Sequence, residues 1–499
     1  MSHLIILPLL IPLFTGGFLL MRPRLSVTAS RWVSLLATWS LLPLALLLLQ
    51  RANGGQLEVY ALGDWPAPFG IVLLLDRLAA LMLATVAVLA AGAALYACRG
   101  DDRRGPDFHA LFQFQLLGIN GAFLTGDLFN LFVSFEILLI ASYALLVHGA
   151  GPARIRAGLH YVVLNLVGSA LFLVGIGVLY GLLGTLNFAD LGLKVAQADP
   201  AQAPLLAAAG FLLLVVFGLK GAILPLYFWL PKAYSAASAP VAALFAIMTK
   251  VGLYAIVRVF LLVFGSAAGP LADYVLPWLW PLAAATLAAG VFGALAAHHL
   301  KALLGYLVVI SVGMLLSGVA LGSVSGLAAA LFYLVHSTWI AGALFLLADL
   351  IAQQRGEQGD LLKSGPQLHH PRLLGGLFFL GAVSVAGLPP FPGFLGKVML
   401  LQASGTLWPA PLIWAVVLLG GLGMIIALSR AGTTLFWRGA HAALDVRLDR
   451  IQLVATLGLL LGSPLLVALA APLHGYALET ARQLLDVSAY FDIVRGVGP

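Results

Sequence analysis

Apolar runs long enough to cross a bilayer recur along this chain, and no other property narrows its fold as far. A spanning helix needs about 18 or more apolar residues to cover roughly 30 Å of hydrocarbon. Such runs fall at 2–21, 31–50, 71–97, 109–124, 127–148, 160–184, 205–230, 239–263, 274–297, 301–320, 324–350, 372–400, 408–428 and 451–471. Inside hydrocarbon every backbone N–H and C=O must find its partner within the segment, so runs of this length are helices. The expected fold is all-α, a polytopic membrane protein with about 14 transmembrane helices. Composition agrees, since 62% of the 499 residues are hydrophobic and 9% charged, far from the balance of soluble domains. The first run has no basic segment before it and no small-residue cleavage site after it, so it reads as a retained span. The single cysteine, Cys98, excludes an internal disulfide and any cysteine-built metal or iron–sulfur centre.

A net charge of +7 would point to nucleic acid in a soluble protein. Here the basic residues segregate by side of the membrane instead. Seventeen of the 26 lysines and arginines lie in one set of alternate connections, from Arg22, Arg24 and Arg31 to Arg447 and Arg450. Four lie in the other set: Arg51, Lys194, Arg482 and Arg495. The rich side is the cytoplasmic one, which places both termini outside and gives the basic loops a topological explanation with no nucleic-acid partner. The other five, Arg77, Lys220, Lys250, Arg258 and Lys397, fall inside spans.

A lysine at the centre of a membrane helix costs roughly 2.5 to 3.5 kcal/mol, so such residues face a polar interior and mark a pathway. Lys220 and Lys250 sit near the middle of consecutive apolar runs, and Glu136 lies about as deep in an earlier one. The first lysine-bearing run is interrupted. Pro225 has no amide proton and collides with the carbonyl of Gly221, one residue from Lys220. A second interruption, GLPPFPGFLGK, contains Lys397, and Pro389, Pro390 and Pro392 free the carbonyls of Val385, Ala386 and Leu388. His336 lies between, in an apolar run of its own. A broken helix with titratable groups beside unwound carbonyls is the pattern of an ion path. The expected path is therefore Glu136, Lys220, Lys250, His336 and Lys397, with Glu136 as the natural partner of Lys220. Burial disfavours an ammonium and can lower a lysine pKa by about 3 to 5, into a range where protons are exchanged. Making and breaking a Glu136–Lys220 contact would then switch the lysine between holding and passing a proton.

Blander readings stand beside each of these. Glu136 and Lys220 can be a static pair that fixes helix packing, Lys250 and Lys397 can snorkel to an interface, and His336 can bond a neighbouring backbone group. His298 and His299 read as solvated loop residues near Lys301, with a cytoplasmic proton-entry role as the alternative. Asp76 and Arg77 are adjacent and face different ways, which favours a structural role or a subunit contact over transport, and Asp127 reads as a helix cap. No nucleotide loop, metal cluster or nucleophile arrangement is present in the sequence, so no cofactor and no enzymatic reaction are expected.

Two blocks of five spans each end in a broken helix plus one more. Blocks with an odd number of spans must be inverted relative to each other. The expected organisation is three leading helices over 1–108, a first five-helix repeat over 109–263 with Glu136, Lys220 and Lys250, a second over 264–430 with His336 and Lys397, and a last helix and extracytoplasmic tail over 431–499.

The stretches GINGAFLTGDLFNLFVSFEILLIASYALLVHG, GLKGAILPLYFWLPKAYSAASAPVAALFAIMTKVGLYAIVRV and GLPPFPGFLGKVMLL closely resemble the D component of Mrp-type monovalent cation/proton antiporters, within the antiporter-like subunits shared with respiratory complex I and membrane-bound hydrogenases. Where those latter relatives tend to carry histidines, this chain has Tyr227 and Tyr234, which favours the Mrp side. The resemblance implies a chain working with the A, B, C, E, F and G subunits of the Mrp antiporter complex in a bacterial inner membrane, exchanging cytoplasmic Na+, with K+ or Li+ as alternatives, for external protons, with the five path residues in family positions. The alternatives are a proton-pumping subunit of a complex I type oxidoreductase or hydrogenase, and an inert scaffold.

Overall fold

The computed structural model describes residues 3–22, 24–65, 70–406, 408–441 and 446–495. In chain order the helices are α1 (Leu7–Met21), α2 (Val27–Ala52), α3 (Arg77–Ala97), α4 (Phe108–Leu124), α5 (Leu128–Val147), α6 (Pro152–Leu183), α7 (Phe188–Ala196), α8 (Ala203–Gly221), α9 (Trp229–Ala236), α10 (Ala239–Phe245) and α11 (Met248–Val257). They continue as α12 (Leu276–Ala296), α13 (Leu300–Ala320), α14 (Val324–Gln353), α15 (Pro371–Ala386), α16 (Pro392–Ser404), α17 (Ala410–Phe436), α18 (Arg450–Leu460), α19 (Gly462–Ala468), α20 (Ala470–Leu485) and α21 (Ser488–Arg495). Twelve helical stretches among the described residues are long and apolar enough to cross a membrane. The two other expected spans are α4, at 17 residues, and the interrupted pair α15 and α16.

Sequence and packing agree on which helices are central. The 30-residue α14 packs against α3, α10, α13, α15, α16, α18 and α20, and the stretch Ala239–Val263 is buried on every side. Helices of this kind are apolar all round. The outer helices α1, α2, α6, α12 and α17 expose Phe14, Trp32, Leu159, Phe292 and Leu419, an apolar rim suited to hydrocarbon. Side-chain oxygens cap several N-termini, and Asp127 is one of them, accepting from Asn130 N at 2.6 Å.

Two polar clusters lock the ends of the bundle. At the end away from the basic loops, Asp76 caps α3 and is gripped by Arg258, with Nη1 and Nη2 donating at 2.5 and 2.7 Å; both side chains are fully buried. Tyr490 on α21 donates to the same carboxylate at 2.6 Å, and Arg258 Nε donates to Tyr254 at 2.8 Å. The two charges left unpaired in sequence thus neutralise each other, and a π-helical turn over Arg258–Val263 follows. Arg77 faces the other way, donating to Asn53 and lying over the Tyr476 ring. At the basic end, Arg31 donates to both oxygens of Asp102 at 2.5 and 2.8 Å, with His109 at 3.1 Å. Cys98, Asp102 and His109 come within 4.8 Å of one another, but the guanidinium occupies the carboxylate that a cation would need.

Removing one member of the Asp76–Arg258 pair leaves a charge buried, which costs about 3 to 5 kcal/mol. Arg258→Ala should therefore lower the thermal stability of the purified protein sharply, whereas Asp76→Leu with Arg258→Met should restore it; scanning calorimetry or a thiol-free melting assay in detergent checks both. A second prediction concerns Asp101, just beyond α3. Burial first, then the charge of Asp349, push its carboxyl up to about 6 from an ordinary 3.8. The protonated form is favoured in the fold, so this group's stabilising contribution is complete below about 3.8 and is lost as pH rises through about 6. Asp101→Asn should stabilise the protein at pH 8, by up to roughly 3 kcal/mol, and change little at pH 4.5, as read from melting curves at the two values.

Candidate functional site

The first interruption is made by the backbone before any charge enters. α8 stops at Gly221 because Ala222 takes a left-handed conformation, φ 58°, two residues ahead of the Leu224–Pro225 bond where a helix cannot continue. The groups this frees are caught: Trp229 Nε1 donates to Leu219 O at 3.0 Å, and Leu224 N donates to Thr286 Oγ1 on α12 at 2.9 Å. Lys220 is therefore held one residue from a helix end that is fixed in mid-bundle. It is 4% exposed, its Nζ donates to Asn165 Oδ1 at 3.2 Å, and it lies over the Phe135 ring.

Glu136 and Lys220 do not form the direct pair expected from their opposite charges. Each instead bonds a side chain of α6, while Lys220 also reaches α5 at Phe135. Asn165 and Ser169 are four residues apart and so share one face of that helix; Asn165 receives Lys220, and Ser169 Oγ donates to Glu136 Oε1. Glu136 is only half-buried, on a strip of α5 where Phe129, Val133 and Ile140 are exposed. These two α6 residues, and Ser311 on α13, escaped the sequence reading. Their signal was present as small polar side chains inside apolar runs, LNLVGS and VVISVG, without a charge to draw attention.

Lys250 is completely buried, and its Nζ donates to Ser311 Oγ at 3.1 Å, while that hydroxyl donates to Val308 O at 2.7 Å. No carboxylate pairs with it among the described residues. α11 crosses α8 at two glycines: a Cβ on Gly252 would lie 2.5 Å from Gly221 N. That backbone contact sets the body of α11 against the interrupted end of α8.

The second interruption uses Gly387, φ 75°, between α15 and α16. One of the carbonyls expected to be freed, that of Ala386, accepts from Lys397 Nζ at 2.5 Å. His336, 1% exposed on α14, comes to the same break: a Cβ on Gly393 would collide with Ser384 O and lie 2.9 Å from His336 Nε2. Neither ring nitrogen of His336 makes a hydrogen bond of normal geometry among the described residues. The five residues thus lie on successively packed elements, α5, α6, α8, α11, α13, α14 and α16. Hydrogen bonds tie Glu136 and Lys220 separately to Ser169 and Asn165 of α6, and tie Lys397 to its break. Helix packing alone carries the interval from Ser311 to His336.

Interrupted helices holding titratable side chains at mid-membrane define the class of the transporter subunits. The chain belongs to the NADH:quinone oxidoreductase/Mrp antiporter family, whose model matches residues 125–425. It is 41% identical to the D component of a probable K(+)/H(+) antiporter of Rhizobium meliloti strain 1021, over 97% of this chain and 96% of that relative. It is 40% identical to the D component of the Na(+)/H(+) antiporter of Bacillus subtilis strain 168, over 88% and 87%. Its fold matches a chain of the Mrp complex from Dietzia sp. DQ12-45-1b with a TM-score of 0.88 and 26% identity, over 99% of this chain and 100% of the other.

Adding a methyl at the glycine crossing tests the geometry. Gly252→Ala should force α11 away from α8 and cost about 1 to 3 kcal/mol, with transport falling further than stability because Lys250 moves with its helix. Melting temperature and vesicle antiport measured on the same preparation check this.

Proposed function

We propose that this chain is the D component of a multi-subunit monovalent cation/proton antiporter, and that it moves protons along Glu136, Lys220, Lys250, His336 and Lys397. The observation that carries this reading is the setting of the three lysines. Each is buried within the bundle, and each is given one neutral oxygen, from Asn165, Ser311 or Ala386, in place of a carboxylate. A static structural lysine in hydrocarbon calls for a full counter-charge, as Arg258 has in Asp76. A lysine that takes up and releases a proton must be tolerable in both states, and a neutral acceptor serves both.

The exchanged ion is Na+ or K+, the cations named for the relatives. The partners are the other Mrp subunits, and the half-buried Glu136 strip is a surface that such a neighbour would cover. The chain lies in a bacterial cell membrane with its basic loops in the cytoplasm and both termini outside, and its two interrupted helices belong to two inverted five-helix halves, 109–263 and 264–430. A second reading, a proton-pumping subunit of a redox-driven complex, is favoured by the family itself, which spans quinone oxidoreductases as well as antiporters.

Lys220→Ala and Glu136→Ala should each abolish most Na+/H+ and K+/H+ exchange in inside-out vesicles while the complex still assembles. Full exchange in either variant would leave a scaffold role. Exchange that stops when a respiratory electron donor is withheld would favour the redox-driven reading.

A further inference from the structure

On the rim of the bundle, α15 and α17 leave a groove of about 350 Å³ between them. Two glycines shape its floor. A Cβ on Gly375 would lie 3.3 Å from the Phe436 ring and one on Gly432 would lie 3.1 Å from the Phe378 ring. Each bare stretch of backbone thus receives a ring from the facing helix, and the two rings meet with centroids 5.6 Å apart. The groove stays open along its rim, where Phe379 and Trp437 are 69% and 79% exposed and Ser429 and Thr433 are exposed as well.

Its dimensions select an occupant. The lining runs from Gly375 to Ala386 on α15, about 17 Å at 1.5 Å per residue, close to half of the roughly 30 Å hydrocarbon core. It therefore covers one leaflet, from the end with the basic loops to the turn where the Ala386 carbonyl holds Lys397. Volume over length gives a mean cross-section on the order of 20 Å². A helix about 10 Å across cannot enter such a slot, whereas one extended hydrocarbon chain can.

The mouth of the groove is basic. Arg372 is exposed and lies three residues before Gly375, on the same stripe of α15. Arg438 is exposed too and follows Trp437 directly. The two helix ends are tied together there, because Gly365 pairs with Gly439 and Ser364 Oγ donates to Arg438 O at 2.5 Å. An exposed tryptophan beside arginines is the composition of a membrane interface, and basic recesses between helices on the cytoplasmic side take anionic lipid head groups.

We propose that the α15–α17 groove is a binding site for one acyl chain of an anionic phospholipid, with Arg372 and Arg438 meeting the phosphate at the mouth and the chain end packing against the Ala386 turn. The site uses none of the five path residues, so it stands or falls separately from the proton path.

The test uses the assembled complex in phosphatidylcholine vesicles doped with phosphatidylglycerol that carries a diazirine midway along one acyl chain. Phosphatidylcholine with the same diazirine is the control. After illumination, peptide mapping should place phosphatidylglycerol adducts on the α15 and α17 lining at least roughly fivefold above the control, since two arginines favour the anionic head group, and above the exposed face of α6. Ser429→Phe with Thr433→Phe fills the groove from exposed positions and should remove most of those adducts with the melting temperature unchanged. Arg372→Gln with Arg438→Gln should bring phosphatidylglycerol down to the level of the control, and this pair carries the comparison if the filled variant does not assemble. Equal labelling by the two lipids, labelling no denser than on α6, or adducts that survive both pairs of substitutions overturns the site. So does an absence of adducts, the result if a neighbouring subunit covers this face.

Discussion

An ammonium withdrawn from water must be given back some of what hydration supplied, and the form of that compensation divides this protein in two. Where a cation is meant to stay, the fold supplies a carboxylate with bidentate geometry: Arg258 with Asp76 near one end, Arg31 with Asp102 near the other. Where Lys220, Lys250 and Lys397 sit, it supplies one neutral oxygen each. A close ion pair in low dielectric would fix the protonation state of both partners. A hydroxyl, an amide or a carbonyl stabilises the charged form without forbidding the neutral one. The interior lysines are therefore tolerable in either protonation state, while the ion pairs at the ends hold the helices in place.

The helix interruptions follow from the same requirement. A continuous helix spends its carbonyls on its own amides and offers nothing to a buried lysine. Stopping α15 at Ala386 makes a backbone oxygen available, and Lys397 uses it. Stopping α8 at Gly221 has a different result. Its free groups are taken by Trp229 and Thr286, and the gain is proximity, because the bare backbone at Gly221 lets Gly252 approach and sets two lysine helices against each other. The two breaks look alike in sequence and do different local work.

Polar side chains without charge complete the arrangement. Asn165 and Ser169 give Lys220 and Glu136 separate partners on one face of α6, and Glu136 stays half-open on the outer strip of α5. A direct contact would bury the glutamate and close that strip. The separation leaves the carboxylate where a neighbouring polypeptide can reach it, which suits a chain that works within a larger assembly.

The chain's own letters were enough for the membrane class, the positions of the spans and the burial of the charged residues within them, because hydrophobic length and the cost of a buried charge are local quantities that no tertiary contact can alter. They were also enough for the freed Ala386 carbonyl, since proline's missing amide acts on its own helix. What they could not supply was pairing. Glu136 and Lys220 looked like natural partners by charge and depth, yet which side chain each of them bonds depends on how spans far apart in sequence pack. The same holds for Arg258 finding Asp76 across 182 residues, and for Ser311, a lone hydroxyl with nothing to mark it until α13 is laid beside α11. Charge and length are written residue by residue, while the choice of acceptor is made only when three-dimensional packing decides whose oxygen arrives at each nitrogen.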